Sequence, residues 1–251
     1  MPDQNAMPDQ TAPGTARPAA TRAGLAGPLS AVLFTAAGAA GFVLETTARS
    51  AGFDDGDNPA QSVALFAVNP TPYSLSGLTL AVAALALLML VLAVHESVLA
   101  AVRPLYARFV TGIGLISAVL LFLGGVIRLQ APGTVTHIAG LDREWGLAAY
   151  LAVQMSGTQG ALSAAIFAFA LWAVGLCVTA SRPHTLPLPV LLVGLLPALV
   201  LAIPLTALAG RVIGQDTSDV LYPIYLIAIF VGIPLFTLAV GWVLWRRRRA
   251  T

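Results

Sequence analysis

Six stretches without a charged side chain constrain this chain more than any other feature. About 20 apolar residues are needed to cross the hydrocarbon of a bilayer as a helix, and 58% of the 251 residues are hydrophobic. Lipid offers the backbone no hydrogen-bond partners, so each stretch is predicted to be helical. The first stretch is extended by the uncharged residues 23–28 before it. The six predicted spans are Leu29–Leu44, Leu75–Val94, Phe109–Ile127, Gly160–Ala180, Leu186–Leu208 and Leu221–Leu244. The predicted fold is an all-α, polytopic bundle of six transmembrane helices.

The composition excludes several classes of protein and site. A soluble domain carries about 25% charged residues, whereas this chain carries 10%, which excludes a soluble enzyme and a nucleic-acid-binding protein. The 13 basic residues are all arginine, so no lysine can form a Schiff base with a cofactor. A single cysteine, Cys177, excludes a disulfide or a multi-cysteine metal site. We expect no cofactor and no metal, because His95, His137 and His184 are widely spaced and lie on opposite sides of the predicted bundle.

The arginines are distributed unequally between the two sides of the predicted bundle. Four belong to the side that holds the first outer loop: Arg49, Arg128, Arg143 and Arg211. The other side holds nine: Arg17, Arg22, Arg103, Arg108, Arg182, Arg246, Arg247, Arg248 and Arg249. Excess arginine marks the cytoplasmic face, so both termini are predicted to be cytoplasmic. The exclusive use of arginine and the many alanines favour a GC-rich bacterial genome, and we expect a location in the bacterial inner membrane.

The chain divides into three predicted regions. Residues 1–27, rich in Pro, Ala and Thr, are expected to be a disordered cytoplasmic arm. Residues 28–245 form the transmembrane domain, and residues 246–251 are a polybasic cytoplasmic tail. Arg17 and Arg22 also precede the first span as in a cleaved signal peptide, but the long leader, with Asp3 and Asp9, favours a retained helix.

Two outer segments carry helix signals of their own. Asn58-Pro59 is a capping residue followed by proline, which predicts a short helix over Pro59–Val68. The longest outer loop, Arg128–Gln159, has apolar residues at alternating spacings of four and three, which predict an amphipathic helix near 141–155 on or in the outer leaflet. The residues that carry this pattern are Leu141, Trp145, Ala148, Ala152 and Met155.

Ionisable side chains lie at the ends of the predicted spans and not at their centres, which argues against a proton-coupled pump. At the cytoplasmic end, His95 and Glu96 close the second span and precede Arg103 and Arg108. They form either a titrating pair at an inner mouth or an ordinary helix C-terminus, where the dipole favours histidine, and we favour the second interpretation.

The outer ends of the spans hold a second set of charged candidates: Glu45, Arg128, Asp142, Arg143, Glu144 and Arg211. Glu45 is also spaced i, i+4 with Arg49. This set is either a polar vestibule, a partner-binding face or a solvated rim, and we favour the rim. No catalytic residue is predicted.

The C-terminal end of the last span combines aromatic and basic residues. Trp242 and Trp245 match the aromatic belt found at the membrane–water interface, and Arg246, Arg247, Arg248 and Arg249 follow directly. Arginines beside anionic headgroups stabilise membrane attachment, so this segment is predicted to be a membrane anchor. The expected partners are the lipid bilayer and other membrane subunits.

The order of these features resembles a group of bacterial six-span membrane proteins classified as a domain of unknown function. The resemblance lies in the segment Asn58–Val68 before a long leucine-rich span, in the Arg103-Pro104 link, and in Ala161–Leu176 followed by Arg182-Pro183. It implies an integral membrane location and six helices, and it supplies no catalytic residues.

Three functional hypotheses remain. The leading one is a non-catalytic membrane protein, either an accessory or scaffold subunit or a binder of apolar molecules. The second is a small transporter or channel for a neutral or lipophilic substrate, which would use the proline-broken fifth and sixth spans, with a water-accessible cavity at Pro197–Pro204. The third is a lipid-modifying membrane enzyme with His95 and Glu96, or the outer acids, as acid–base groups.

The predicted orientation can be tested with reporters fused after Asp57, His184 and Thr251. We expect an external location for the first fusion and a cytoplasmic location for the other two. A phosphatase and a fluorescent-protein reporter give opposite signals on the two sides, and a reversed signal at any of the three sites contradicts the six-span topology.

Overall fold

The protein is described here by a computed structural model that covers residues 25–53, 58–181, 185–202 and 218–249. The helices of these ranges are α1 Ala26–Ser50, α2 Pro59–Val68, α3 Thr71–Ser97, α4 Pro104–Leu141, α5 Arg143–Val153, α6 Ser163–Ser181, α7 Leu188–Val193, α8 195–202, α9 Ser218–Ile227 and α10 Ile233–Arg249. Two π-helical segments, Gln154–Leu162 and Ala228–Gly232, join α5 to α6 and α9 to α10. The described residues contain no strand, so the all-α prediction is confirmed for them.

Five helices are long and apolar enough to cross a membrane: Ala26–Ser50, Thr71–Ser97, Pro104–Leu141, the continuous helix Arg143–Ser181, and Pro223–Arg249. These helices coincide with five of the six predicted spans. The remaining predicted span, Leu186–Leu208, begins with the shorter apolar helix Leu188–Ala202 and ends outside the described residues. The sixth crossing therefore stays a prediction. The arm 1–24 and the residues Arg182, His184 and Arg211 also lie outside the described ranges.

The short helix α2 has the predicted bounds. The Asn58 side-chain oxygen accepts a hydrogen bond from the Gln61 amide at 3.3 Å, and Pro59 occupies the first helical position. Both devices suit the start of a helix, where backbone N–H groups lack intrahelical acceptors. Directly after α1, Gly52 has a φ of 102°, a conformation that glycine adopts without steric cost.

The structure differs from the sequence prediction at the expected outer loop Arg128–Gln159, which is helical. Helix α4 continues past Ile127 to Leu141, and the chain reverses at Asp142, whose carboxylate caps α5 by accepting from the Glu144 and Trp145 amides at 2.8 and 3.1 Å. Helix α5 then packs antiparallel along α4, with Gly146 so close that an added Cβ would lie 2.4 Å from the Ala139 Cβ. The expected amphipathic helix is thus one arm of a helical hairpin that leads directly into α6.

Contacts between distant residues show which helix ends lie together. Arg247 donates to the carbonyls of Ser97 and Thr185, which groups the ends of α3 and α10 with the segment before α7. We call this the tail end. At the opposite end, Arg128 pairs with Glu45 in α1, and we call this the cap end. The grouping agrees with the alternation of sides predicted from the arginines, and the side that faces the cytoplasm stays a prediction.

The buried residues form two main clusters along the bundle. The larger one lies among α1, α3, α4, α6 and α10 and is centred on Trp172, Phe169 and Phe236. The smaller one lies at the cap end and consists of Ala48, Phe53, Phe66, Tyr73, Ala131, Val135 and Tyr150. We call the second cluster the cap core. Its aromatic rings contact one another at centroid distances of 4.9 to 5.7 Å, within the range of favourable aromatic pairs.

Helices α3 and α4 approach each other closely because glycines face each other. An added Cβ on Gly77 would lie 2.4 Å from the Leu129 amide nitrogen and 2.6 Å from the Gly125 carbonyl oxygen. Small residues at such crossings let backbones touch, which is how membrane helices gain packing energy without a hydrophobic driving force. This crossing holds the two helices in register near the cap end.

We therefore expect Gly77→Ala to lower the free energy of unfolding by about 1–3 kcal/mol, as in overpacked cores, because the obstructing atoms belong to the backbone and cannot rotate away. Gly112→Ala is the matched control, since nothing lies within 4 Å of its Cβ position. Thermal unfolding of the detergent-purified variants provides the measurement. An unfolding midpoint for Gly77→Ala equal to that of Gly112→Ala would contradict the described crossing.

Candidate functional site

Arg128 is the buried charge of the described bundle. It lies inside the 38-residue helix α4 and is 5% exposed. The α3–α4 crossing places it there, because the Gly77 Cβ position is 3.0 Å from the Arg128 carbonyl carbon. From the sequence, the Arg128 side chain was expected to reach water at the end of a span. Because its side chain is buried within the protein, Arg128 is not part of a solvated rim.

The carboxylate of Glu45 neutralises this charge. Its Oε2 accepts from Arg128 Nη2, and its Oε1 accepts from Arg49 Nε at 3.2 Å. Glu45 and Arg49 share α1, and Arg128 reaches them from α4, so the pair links two helices. Two guanidinium groups and one carboxylate leave the group of three with a formal charge of +1.

An aromatic and amide network continues from the ion pair. The Arg128 guanidinium lies over the Tyr73 ring, 4.5 Å from its centroid. The Tyr73 hydroxyl donates to Gln154 Oε1 at 3.1 Å, and Gln154 Nε2 donates to the Tyr150 hydroxyl at 3.1 Å. All four side chains are buried. The network therefore connects α1, α3, α4 and α5 through polar groups at the base of the cap core.

Sequence reasoning missed Tyr73, Tyr150 and Gln154 because it followed charges only. A signal was available, since Gln154 is an amide in an apolar helix, where polar groups must find internal partners. Gln154 also begins the π-helical segment Gln154–Leu162, and π-helical turns are frequent at functional positions.

These side chains connect helices through polar contacts. We call the group formed by Glu45, Arg128, Tyr73, Gln154 and Tyr150 the lock. A guanidinium has five N–H donors, and the Nε of Arg128 is buried without an acceptor among the described residues. Both carboxylate oxygens of Glu45 are engaged, so no free base remains beside it. The arrangement can fix the positions of four helices.

The other outer candidates do not join this cluster. Asp142 caps α5, while Arg143 and Glu144 are exposed near it. Asp142 follows Arg128 by 14 residues along α4, about 20 Å of helix. Arg211 lies outside the described residues. Within the described part of the chain, the predicted outer charges are thus divided between a buried lock and an exposed hairpin tip.

The two candidates at the tail end, His95 and Glu96, do not form one site. His95 Nδ1 lies within hydrogen-bond distance of Thr111 Oγ1, at 2.8 Å, and the Thr111 hydroxyl is also 2.8 Å from the Ala107 carbonyl oxygen. Glu96 is exposed and, in the described ranges, makes no ion pair with Arg103 or Arg108. His95 therefore ties the end of α3 to α4.

The proline-broken helices named by the transporter hypothesis meet at a close contact. The Gly232 Cβ position, in the second π-helical segment, lies 2.8 Å from the Leu196 Cβ and 3.3 Å from the Pro197 nitrogen. The backbones therefore touch at Pro197, and Pro204 lies outside the described residues. No group of three or more His, Cys, Asp or Glu side chains suited to a metal ion occurs in the part of the chain that the structure covers.

Comparison of the chain with protein-family models, with curated proteins and with solved structures finds no match in any of the three. The resemblance to a six-span bacterial group therefore stays a prediction.

The lock predicts an asymmetric response to mutation. Glu45→Gln leaves the Arg128 guanidinium buried without a counter-charge, and removal of one partner of a buried pair costs about 3–5 kcal/mol. Arg128→Gln leaves Glu45, whose side chain is 20% exposed, still paired with Arg49, so its cost should be smaller. Denaturant unfolding of purified protein measures both.

The matched control is Arg143→Gln, which changes an exposed arginine of the same end and should alter stability by about 0.5 kcal/mol or less. Equal stability of Glu45→Gln and Arg143→Gln would show that the pair contributes nothing to the fold.

Proposed function

We propose that this protein is a non-catalytic integral membrane protein, an accessory or scaffold subunit that holds another membrane protein against its cap end. The observation that carries the proposal is an uncovered apolar face on the α4–α5 hairpin. We call this face the hairpin stripe, and it consists of Leu141, Trp145, Ala148, Ala152 and Met155.

The stripe is exposed along its whole length. Leu141 is 77% exposed, Trp145 73% and Met155 59%, and both alanines between them are exposed. The opposite side of α5 packs into the protein through Gly146 and Tyr150. Helix α5 is therefore covered on one side only, and the stripe lies on its uncovered side.

The hairpin extends so far beyond the Glu45–Arg128 pair that lipid does not cover the part of the stripe nearest to the hairpin turn. The apolar runs of α1 and α4 end at Leu44 and Ile127, beside the Glu45–Arg128 pair, so the edge of the hydrocarbon belongs near that pair. Helix α4 continues for 13 residues to Leu141, about 20 Å at 1.5 Å per residue. The headgroup zone is about 5–8 Å deep on each side, so Leu141 and Trp145 extend beyond it.

The stripe suits a partner that is itself embedded in the membrane. Contiguous apolar surface outside the bilayer marks a protein interaction site. Further along the same continuous helix, Phe167 and Leu171 are also exposed. A helix that crosses the hydrocarbon and extends past it would cover both portions, and a soluble partner would cover only the upper one.

The use of the polar groups supports a non-catalytic role. Seven of the buried polar residues of the described part hydrogen-bond to helix carbonyls or to other side chains of the protein: Ser30, Ser76, Thr111, Ser117, Arg128, Gln154 and Thr237. They stabilise helix packing, and an enzyme would require some of them to face a substrate.

The test is photocrosslinking in living cells with a photoreactive phenylalanine analogue in place of Trp145, and separately of Met155. Both should give the same discrete adduct, containing one polytopic membrane protein identified by mass spectrometry. The matched control is the same analogue at Ile116, an exposed residue in the hydrocarbon-spanning part of α4, which should give no such adduct.

An adduct that contains only a second copy of this chain would replace the proposal with self-association. If the analogue at Trp145, like the analogue at Ile116, gave no discrete protein adduct, lipid would cover the stripe as it covers the rest of α4. That result would overturn the proposal.

A further inference from the structure

The four arginines at the end of α10 have different environments, although they are consecutive in the sequence. Arg247 is partly buried and donates to the carbonyls of Ser97 and Thr185. It therefore closes the tail end of the bundle by linking α10 to the end of α3 and to the segment before α7. Arg246 and Arg249 are exposed and stand on another side of the helix.

Each of these two exposed arginines stacks on a tryptophan one turn earlier. The Arg246 guanidinium carbon lies 4.1 Å from the centroid of the Trp242 ring, and that of Arg249 lies 3.8 Å from the centroid of Trp245. The spacings of three, four and seven residues place all four side chains on one face of α10. Stacking orders each guanidinium and leaves its N–H edge available, because the contact uses the planar face.

The same face continues toward the centre of the membrane as an exposed apolar strip. Leu235, Leu238 and Trp242 lie on it with 46%, 38% and 44% exposure. A single helix face therefore offers apolar side chains below, indole rings at the level where the aromatic belt meets headgroups, and two ordered guanidinium groups above.

We propose that this face of α10 is a binding site for one anionic phospholipid, with the phosphodiester on Arg246 and Arg249 and an acyl chain along Leu238 and Leu235. Guanidinium groups bind phosphate oxygens through paired N–H donors. In the described residues, no carboxylate pairs with Arg246 or Arg249, so their donors are available to a ligand.

The surroundings favour an anionic lipid over a zwitterionic one. Arg103 and Arg108 are exposed at the start of α4, at the same end of the bundle. Glu96 is the acidic residue of this end within the described ranges. The local excess of positive charge attracts a headgroup of net charge −1 and gains little from one whose charges cancel. The apolar strip distinguishes a lipid from free phosphate, which has no chain to place there.

The experiment measures the affinity of the full-length, detergent-purified protein for phosphatidylglycerol and for phosphatidylcholine by native mass spectrometry. We expect the wild-type protein to prefer phosphatidylglycerol. The double variant R246Q/R249Q should bind it about 30-fold more weakly, since each arginine near an anionic headgroup contributes about fivefold. Millimolar inorganic phosphate should not displace the lipid.

The matched control is R103Q/R108Q, which removes the same charge from the same end but leaves the α10 face intact, and it should weaken binding less than about threefold. R247Q should lower the thermal midpoint and leave the lipid preference of the folded fraction unchanged. Unfolding midpoints of both double variants close to that of the wild type establish that binding is compared between folded proteins.

Three results would overturn the proposal. They are equal affinity of the wild type for the two lipids, equal losses in R246Q/R249Q and R103Q/R108Q, and displacement of the lipid by inorganic phosphate. The first would exclude recognition of the headgroup charge, the second would reduce the site to diffuse electrostatics, and the third would reduce it to a phosphate site.

Discussion

A charge inside a membrane protein has to be neutralised by the protein itself, and the pairing of Arg128 with Glu45 is where this chain meets that requirement. The pair joins α1 to α4, and the Tyr73 ring beside it connects both helices to α3. Through Gln154 the same network reaches α5. The cap core and the hairpin above it therefore depend on a contact that lies below them, at the edge of the apolar runs.

The two ends of the bundle are closed by different means. At the cap end, a buried ion pair and a layer of aromatic rings connect the helices. At the tail end, a single side chain, Arg247, binds backbone carbonyls of two other segments, and His95 adds a contact from α3 to α4. These groups are engaged within the protein, so the two proposed binding surfaces, the hairpin stripe and the outer face of α10, are formed by other side chains.

The predictions from the sequence agree best with the structure where residues close together in the chain determine the bounds of a helix. Helix α2 has its predicted bounds because Asn58 and Pro59 act within one turn. The stripe was predicted as one apolar helix face, but a period in the sequence does not reveal that α5 packs along α4. Arg128 was assigned to a span end because the apolar run stops there, but its burial was not predicted, since it depends on Gly77 and Gly125, which let α3 and α4 approach each other beside it.

The sequence by itself determined that this chain is helical and apolar enough to cross a membrane several times, because charge cannot be placed in hydrocarbon without a partner. The sequence also determined which of the segments between the helices are rich in arginine. The tertiary structure alone decided the partners: which carboxylate neutralises Arg128, which of four consecutive arginines turns inward, and which side of α5 stays uncovered. Those outcomes depend on contacts between residues up to 150 positions apart, and no spacing along the chain encodes them.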